Sequence, residues 1–161
     1  KKNFHTLISL LKDEGVELIV AGKLDDADYV KKMKLTAAKE GVVDRLHILG
    51  PVSETDKAWY LQNCYAFLLP SLAEGFGAPV VEAMAFGKPL FLAKRTSLPE
   101  IGSDVAFYFE DFSSDHMQLV FKEGMMQYRQ NGLAQKIINR GNDFSWEEKA
   151  KDYLKVYQSL L

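Results

Sequence analysis

Five short apolar runs, separated by helical segments, constrain the fold of this chain more than any other feature. The runs are ELIVAG (17–22), RLHILG (45–50), AFLLP (66–70), PLFLAK (89–94) and AFYFE (106–110). Each has the length of a strand and is apolar almost throughout, which is typical of strands buried on both faces. Strands separated by helices predict a parallel sheet with helices on both faces. Right-handed crossovers then give a doubly wound, Rossmann-like α/β domain.

Helical periodicity fills the intervals between and after these runs. We predict helices over 3–13, 26–40, 53–63, 78–85, 115–130, 133–140 and 146–160. Asp25 or Asp26 provides the start of the second helix, and Gly41 provides its end. The segments 53–56 and 145–148 have the spacing of a capping box, in which a serine is followed three residues later by an acid.

The composition is that of an ordinary globular domain and excludes several classes of function. The chain has 161 residues, which fits one domain, and 47% of them are hydrophobic. A net charge of −2, with both signs interspersed, provides no basic surface for nucleic acid. No apolar run reaches the roughly 18 residues that predict a transmembrane segment. The one cysteine, Cys64, cannot form an internal disulfide, and we expect a cytoplasmic location.

Ligands of such sheets bind at the carboxyl ends of the strands, and one loop there has unusual chemistry. It begins the stretch PSLAEGFGAPVVEAMAFGKP, which runs from residue 70 to residue 89. Gly75 and Gly77 allow a sharp turn and a close approach of the backbone to a ligand. The free amides at the helix start, including those of Gly77 and Ala78, face outward and suit a phosphate.

Two carboxylates, Glu74 and Glu82, lie on either side of this turn. Carboxylates repel phosphate but accept hydrogen bonds from vicinal hydroxyls. A ligand with phosphates in its middle and sugar hydroxyls at both ends, a nucleotide sugar, would satisfy both groups. Acids near the start of a helix are also favourable through the helix dipole alone, so the residues by themselves leave both interpretations open.

Other polar residues predict no second site. The histidines His5, His47 and His116 are scattered, so we expect no metal site. Ser71 follows a strand but lacks the G-x-S-x-G context of a hydrolase. The glycines of 75–79 lack the third glycine of a dinucleotide fingerprint, and we expect no cofactor.

Two further groups of side chains are interpreted as structural. Lys94 and Arg95 follow a strand and could approach phosphates from that loop, but we interpret them as solvated loop charges. Three aromatic residues share one face of the last helix and are expected to pack, with a domain beyond these residues as one partner: Trp146, Tyr153 and Tyr157.

The chain resembles a known family in its motifs. The E-x7-E pattern from Glu74 to Glu82, inside PSLAEGFGAPVVEAMAFGKPLFLA, resembles the donor-site signature of family 4 retaining glycosyltransferases with the GT-B architecture. LIVAG resembles the second strand of that family's C-terminal domain, and DRLHILGPVSETD resembles its base-contacting strand and loop. SLPEIGSDVAFYF and FSWEEKAKDYLKVY resemble the segment after the motif and the terminal helix, so the resemblance covers nearly the whole chain.

The resemblance implies a role for each donor-site residue. Glu74 would bind hydroxyls of the transferred sugar and is the expected catalytic residue, whereas Glu82 would bind the ribose. Lys2, before Asn3, matches a lysine that contacts the diphosphate, and an arginine that shares this task is expected upstream of the chain. The expected donor-binding residues are Lys2, Val52 beside the nucleobase, Glu74, Gly75, the backbone of Phe76, Gly77 and Ala78, and Glu82.

The resemblance also implies that residues 1–161 are the nucleotide-sugar-binding C-terminal domain of a two-domain enzyme. A glycan or lipid-linked glycan acceptor would bind the N-terminal domain, so we expect these residues alone to be inactive. The complete enzyme would serve polysaccharide or glycoconjugate synthesis, in the cytoplasm or peripherally at a membrane. A non-catalytic nucleotide-binding module and a sugar-nucleotide epimerase are the alternatives.

One strand of the family domain has no counterpart in the sequence. In the order 3-2-1-4-5-6, the first strand lies between the second and the fourth. The five apolar runs match strands two to six, which predicts a slot between ELIVAG and AFLLP. We expect a further segment of the same polypeptide to fill it.

Overall fold

The five predicted strands are all present and parallel. The computed structural model describes residues 1–12, 15–23 and 25–160, without the side chain of residue 148. Within them the strands are β1 (Leu18–Ala21), β2 (Leu46–Gly50), β3 (Phe67–Leu69), β4 (Leu90–Ala93) and β5 (Ala106–Phe109). Each lies inside one of the five apolar runs, and helices flank them, so the predicted α/β fold with parallel sheets is confirmed.

The helices follow the predicted order with small differences at their ends. An opening 3₁₀ helix covers Phe4–Lys12. The α-helices are α1 (Ala27–Lys39), α2 (Glu54–Asn63), α3 (Ala78–Met84), α4 (Leu98–Gly102), α5 (Ser114–Asn131), α6 (Leu133–Asn142) and α7 (Trp146–Ser159). Helix α4 and two 3₁₀ turns, Val43–Arg45 and Ser103–Val105, were not predicted, because segments of three to five residues show no helical period.

Two of the predicted helix starts have capping hydrogen bonds. Asp26, not Asp25, caps α1, since its Oδ1 accepts from the Tyr29 amide at 2.9 Å. Ser53 Oγ caps α2 by accepting from the Asp56 amide at 3.0 Å, and it donates to the Asp56 carboxylate at 2.6 Å.

The second predicted capping box is not formed as expected. Ser145 precedes α7, but its hydroxyl makes no capping hydrogen bond within the described part of the chain. The side chain of residue 148, its predicted partner, lies outside the described structure, as does residue 13 at the predicted end of the first helix.

The strands form two separate parallel sheets. Strand β1 pairs with β2, in the register Leu18 with Leu46, and β3, β4 and β5 pair in that order. Because β1 and β3 belong to different sheets, the two half-sheets do not close directly on each other. Within the described residues, β1 pairs only with β2 and β3 pairs only with β4, so each has one side without a strand partner.

Side-chain packing joins the two half-sheets. One buried cluster contains Leu18 and Val20 of β1 together with Phe91 of β4 and Phe109 of β5, and the opening helix contributes Ile8. Burial of these apolar side chains is the main source of stability in such a core. No helix among the described residues combines the length and apolar character needed to cross a bilayer.

Candidate functional site

The loop after β3, residues 70–77 and here called the motif loop, is held in place by the loop after β4. The amide of Glu74 donates to Thr96 Oγ1 at 3.1 Å. The hydroxyl of Ser97 is within hydrogen-bond distance of two motif-loop carbonyls, those of Glu74 at 3.3 Å and Phe76 at 3.2 Å. These bonds fix the backbone that presents Glu74.

Lys2 forms an ion pair with Glu74. Its Nζ lies 2.8 Å from Oε1 of Glu74, whose side chain is only 12% exposed. The Leu72 amide donates to the Lys1 carbonyl at 3.0 Å, which ties the same segments together. Burial raises the pKa of the Glu74 carboxyl, but the hydrogen bond and the charge of Lys2, with the Ser71 hydroxyl nearby, outweigh it and the pKa is lowered overall. Glu74 is therefore a carboxylate at neutral pH.

Lys57 of α2 forms an equivalent pair with Glu82 of α3. Lys57 Nζ lies 3.2 Å from Oε1 and 3.1 Å from Oε2 of Glu82, and 2.7 Å from Oε2 of Glu54. Hydrogen bonds to Glu54 and to Glu82 raise the pKa of the Lys57 ammonium, which stays charged at neutral pH. The sequence interpretation missed Lys57. The available signal was its position in the helix that Ser53 caps, directly after the carboxyl end of β2.

The two glycines of the motif loop have different roles. Gly77 precedes α3 with φ of 91°, and a Cβ there would lie 3.1 Å from Leu98 Cδ2. This is a conformation that glycine favours, as predicted. Gly75 is exposed, is not in the left-handed region, and would place a Cβ with nothing within 4 Å. The backbone conformation therefore requires glycine at 77 and not at 75.

Gly77, whose whole surface is backbone, is buried in the turn between the two acids, so its amide is less accessible than the sequence predicts. Phe76 and Ala78 are exposed, and Pro79 lies in the first turn of α3. The ring of Phe76 meets Phe144 edge-on at 5.7 Å. Helix α3 has only 7 residues. Attraction for an anion at this site would therefore come from hydrogen bonds to the amides at the helix start more than from the dipole of a long helix.

The loops after β1 and β2 lie beside the same region. The Gly22 amide donates to the Gly50 carbonyl at 2.8 Å, which joins them. Val52 is half-buried in the second of these loops. A cavity of about 240 Å³ lies next to Gly22 and is lined by Lys2 and Tyr29, among others. Because Lys2 lines this cavity and also pairs with the motif loop, the loops after β1 and β3 meet at Lys2.

Charged residues of the loop after β4 are engaged elsewhere. Lys94 Nζ pairs with Glu110 at 2.6 Å, and Arg95 Nη2 donates to the Glu110 carbonyl at 2.9 Å. Both bonds tie this loop to the end of β5. Glu100 is exposed, and its carbonyl accepts from Arg140 at 2.7 Å.

The histidines lie apart, each with its own partners. His47 pairs with Glu17 at 2.9 Å, and His5 contacts the Tyr29 hydroxyl at 3.2 Å. His116 Nε2 accepts from the Glu110 amide at 3.2 Å. In the described ranges, no three side chains of the metal-binding types come together in a possible metal site.

Comparisons with known sequences identify related proteins. Residues 1–139 match the sequence model of the family described as glycosyl transferases group 1. A glycogen synthase of Natranaerobius thermophilus is 33% identical over 172 residues, which cover 98% of this chain and 33% of that protein. An MMP alpha-(1->4)-mannosyltransferase of Mycolicibacterium hassiacum is 33% identical over 97 residues, which cover 60% of this chain and 23% of that protein.

Comparison with solved structures supports the fold. Alr3699/HepE of Anabaena, solved in complex with UDP-glucose, superposes with a TM-score of 0.84 at 23% identity. The match covers 99% of this chain and 46% of that one. The chain thus spans from about a quarter to about half of the length of these three relatives.

Proposed function

This chain belongs to the glycosyl transferases group 1 family, and we propose that it is the donor-binding domain of a retaining, family 4 glycosyltransferase. Residues 1–161 would be the C-terminal domain of a two-domain GT-B enzyme. The parallel α/β fold supports this, and so does the 46% share of the HepE chain that the fold covers. Below, the complete enzyme means the polypeptide that contains both domains.

The observation that carries the proposal is the pairing of two carboxylates with two lysines around one turn. Glu74 pairs with Lys2, and Glu82 pairs with Lys57. Carboxylates, which accept hydrogen bonds from hydroxyls, therefore alternate with ammonium groups, which attract phosphates, at the carboxyl ends of the strands. A nucleotide diphosphate sugar has both kinds of group in that alternation.

Each donor-site residue has a role in this proposal. Glu82 accepts hydrogen bonds from the ribose, and Glu74 accepts them from hydroxyls of the transferred sugar. The diphosphate lies against Lys2 and the amides of 76–78, where open space beside Gly75 admits it. Val52 packs beside the nucleobase.

The proposed reaction breaks the bond between the sugar and the diphosphate and forms a bond to an acceptor oxygen with retention. Negative charge develops on the leaving diphosphate as its bond to the sugar breaks, and an oxygen of the diphosphate takes up the proton that the acceptor hydroxyl loses. Lys2 and the amides at the start of α3 stabilise that charge electrostatically. The acceptor binds the other domain, so the 161 residues alone would bind donor without transferring sugar.

The acceptor class is a glycan or a lipid-linked glycan in the cytoplasm or at a membrane surface. Support comes from relatives whose names include glycogen synthase and O-antigen chain mannosyltransferase B, the latter from Escherichia coli. Polysaccharide or glycoconjugate synthesis is the corresponding biological role.

Calorimetry with UDP-, GDP- and ADP-sugars tests the donor assignment. We expect the complete enzyme to bind one class, and the 161 residues to bind its nucleoside diphosphate in the high micromolar range or more weakly. Each tenfold loss corresponds to about 1.4 kcal/mol of binding that the other domain provides. Sub-micromolar binding to the 161 residues alone would show that the other half contributes nothing.

Variants of the two acids test their separate roles in the complete enzyme. Glu82→Ala should weaken donor binding by about 1.5–3 kcal/mol, the range for a hydrogen bond to a charged group. Glu74→Ala should lower turnover more than nucleotide affinity. Glu40→Ala is a matched control, because Glu40 is also paired with a lysine, Lys12, at 2.7 Å. Wild-type kinetics for both Glu74→Ala and Glu82→Ala would show that these roles are wrong.

The same assays separate the alternatives. Donor binding by the complete enzyme without transfer to any glycan acceptor would favour a non-catalytic nucleotide-binding module. Conversion of the sugar while it remains attached to the diphosphate would favour an epimerase.

A further inference from the structure

Lys57 occupies a position that the proposed donor contacts do not use. It lies in the first turn of α2, after the Ser53 cap, and its ammonium reaches across to α3. There it faces both oxygens of Glu82, at 3.2 Å and 3.1 Å. The lysine therefore contacts both carboxylate oxygens but is hydrogen-bonded only to Oε1.

The two oxygens of Glu82 have different surroundings. Oε2 is buried, and within the described residues its near neighbour is the Lys57 ammonium, without the geometry of a hydrogen bond. Oε1 accepts a hydrogen bond from the same ammonium. Because 38% of the Glu82 side chain is exposed while Oε2 is buried, the accessible part of the side chain lies elsewhere on it. The carboxylate is thus oriented, with Oε2 buried and Oε1 held by the Lys57 ammonium.

We propose that Lys57 is a positioning residue that holds the Glu82 carboxylate in the orientation in which it accepts hydrogen bonds from ribose hydroxyls. The inference rests on the role of Glu82 in the proposed function. A free glutamate side chain loses rotamer freedom when a ligand fixes it, which lowers the affinity. A lysine that fixes the side chain beforehand removes part of that loss from binding.

A role limited to fold stability is the alternative. Lys57 is 35% exposed and also pairs with Glu54, which is 88% exposed. Ion pairs of this exposure contribute little to stability, so loss of Lys57 should leave the fold intact. A stability role and a positioning role therefore predict different responses to the ribose hydroxyls of the ligand.

The test measures the affinity of the complete enzyme for uridine, guanosine and adenosine diphosphates and for their 2′,3′-dideoxy counterparts. For the nucleotide that binds, Lys57→Met should weaken the ribonucleotide about tenfold, which corresponds to about 1.4 kcal/mol. It should leave the affinity for the dideoxynucleotide at the wild-type value. Lys57→Arg should restore part of the loss, because a guanidinium can also hold a carboxylate by two contacts.

Controls separate this effect from a general loss of charge. Lys12→Met removes a lysine from a comparable pair with Glu40 and should change neither affinity. Glu54→Gln leaves Lys57 beside Glu82 and should keep most of the ribonucleotide affinity. Thermal unfolding of each variant reports on the fold.

Three outcomes would overturn the inference. Equal losses for ribonucleotide and dideoxynucleotide would mean that Lys57 acts on the phosphates or on the fold. Unchanged affinity in Lys57→Met would mean that the pair has no function in binding. A wild-type protein that binds no nucleotide would instead contradict the proposed function itself, and this inference with it.

Discussion

The ammonium of Lys2 lies 2.8 Å from a carboxylate oxygen of Glu74, 72 positions away along the chain. Lys57 stands in the same relation to Glu82, 25 positions away. Each acid of the motif is therefore neutralised by a lysine from a distant element. Because an ammonium lies beside each carboxylate, the phosphates would not face uncompensated negative charge. The pairing therefore explains how two carboxylates can flank a turn that is proposed to receive a diphosphate.

The Lys2–Glu74 pair predicts a pH-dependent contribution to stability. Because the pKa of Glu74 is lowered in the folded chain, the pair stabilises the fold above the ordinary carboxyl value of 4.5, and this contribution is lost as the pH falls through the lowered folded value. Lys2→Met should lower the free energy of unfolding by up to about 1 kcal/mol at neutral pH, since Lys2 is half exposed. Urea unfolding at neutral and acidic pH measures the difference.

The matched control for Lys2→Met is Lys12→Met. Lys12 also lowers the pKa of its partner, Glu40, so both variants should approach wild-type stability in acid. Only Lys2→Met should weaken nucleoside diphosphate binding. A Lys2→Met deficit that stayed constant down to acidic pH would show that lost packing, and not the charge pair, is responsible.

The two motif-loop glycines should respond differently to alanine. Gly77→Ala should cost about 1–2 kcal/mol of stability, since φ is 91° there and the new Cβ would lie 3.1 Å from Leu98 Cδ2. Gly75→Ala should change stability by less than about 0.5 kcal/mol but should weaken donor binding, because its methyl group points into open space beside the turn. Unfolding curves measure the two stability changes, and calorimetry measures donor binding by Gly75→Ala. Full donor affinity in Gly75→Ala would exclude a close approach of the donor to this residue.

The aromatic face of α7 should be unimportant for the stability of these 161 residues. The sequence predicts packing for all three aromatic residues of this face, yet Trp146, Tyr153 and Tyr157 are 89%, 65% and 61% exposed. The double variant Tyr153→Gln and Tyr157→Gln should therefore leave the unfolding free energy of this chain within about 0.5 kcal/mol of wild type. Ile137→Ala, at a fully buried position of α6, is the contrasting control and should cost about 2–5 kcal/mol.

The predicted packing of α7 against another domain is tested by the same double variant in the complete enzyme. There it should lower the unfolding temperature if the tyrosines are covered. A large loss of stability already in the 161 residues would mean that α7 packs against this domain instead.

The unpaired sides of β1 and β3 predict a protection difference in hydrogen exchange. Ile19 of β1 is 45% exposed although strands of this kind are buried on both faces. Unpaired edges recruit strands, and we expect a strand of the same polypeptide to lie here in the complete enzyme. The amides of Ile19 and Leu68 should then exchange more slowly in the complete enzyme than in the 161 residues. The Phe91 amide of β4, which has a strand on each side, should be protected in both. Equal exchange rates of the Ile19 amide in the two proteins would show that no further strand pairs with β1 in the complete enzyme.

Local patterns in the sequence were sufficient for most of the fold. Ser53 and Asp26 predicted helix starts because their capping bonds reach residues only three positions away. Helix α4 was missed because five residues containing Pro99 are too short to show a period. The difference between Gly75 and Gly77 was also hidden, since residue type does not specify φ.

The candidate site was only partly accessible from the sequence. Glu74 and Glu82 were recognised by their spacing, which is a local property. Lys57 was not, because its contact with Glu82 depends on how α2 packs beside α3. A lysine in the first turn of a helix has no local pattern that distinguishes a site residue from a solvated charge.

The separation of the two half-sheets also affects the cooperativity of unfolding. Backbone ladders connect β1 to β2 and, separately, β3 to β4 to β5, whereas side chains such as Val20 and Phe91 connect the halves. No ladder within the described residues joins the two sheets, so one sheet can open without breaking the ladder of the other, and the two halves are expected to behave as distinct foldons. Different spectroscopic probes should then report non-coincident transitions for the 161 residues. A strand inserted between β1 and β3 would merge the two foldons into one all-or-none transition.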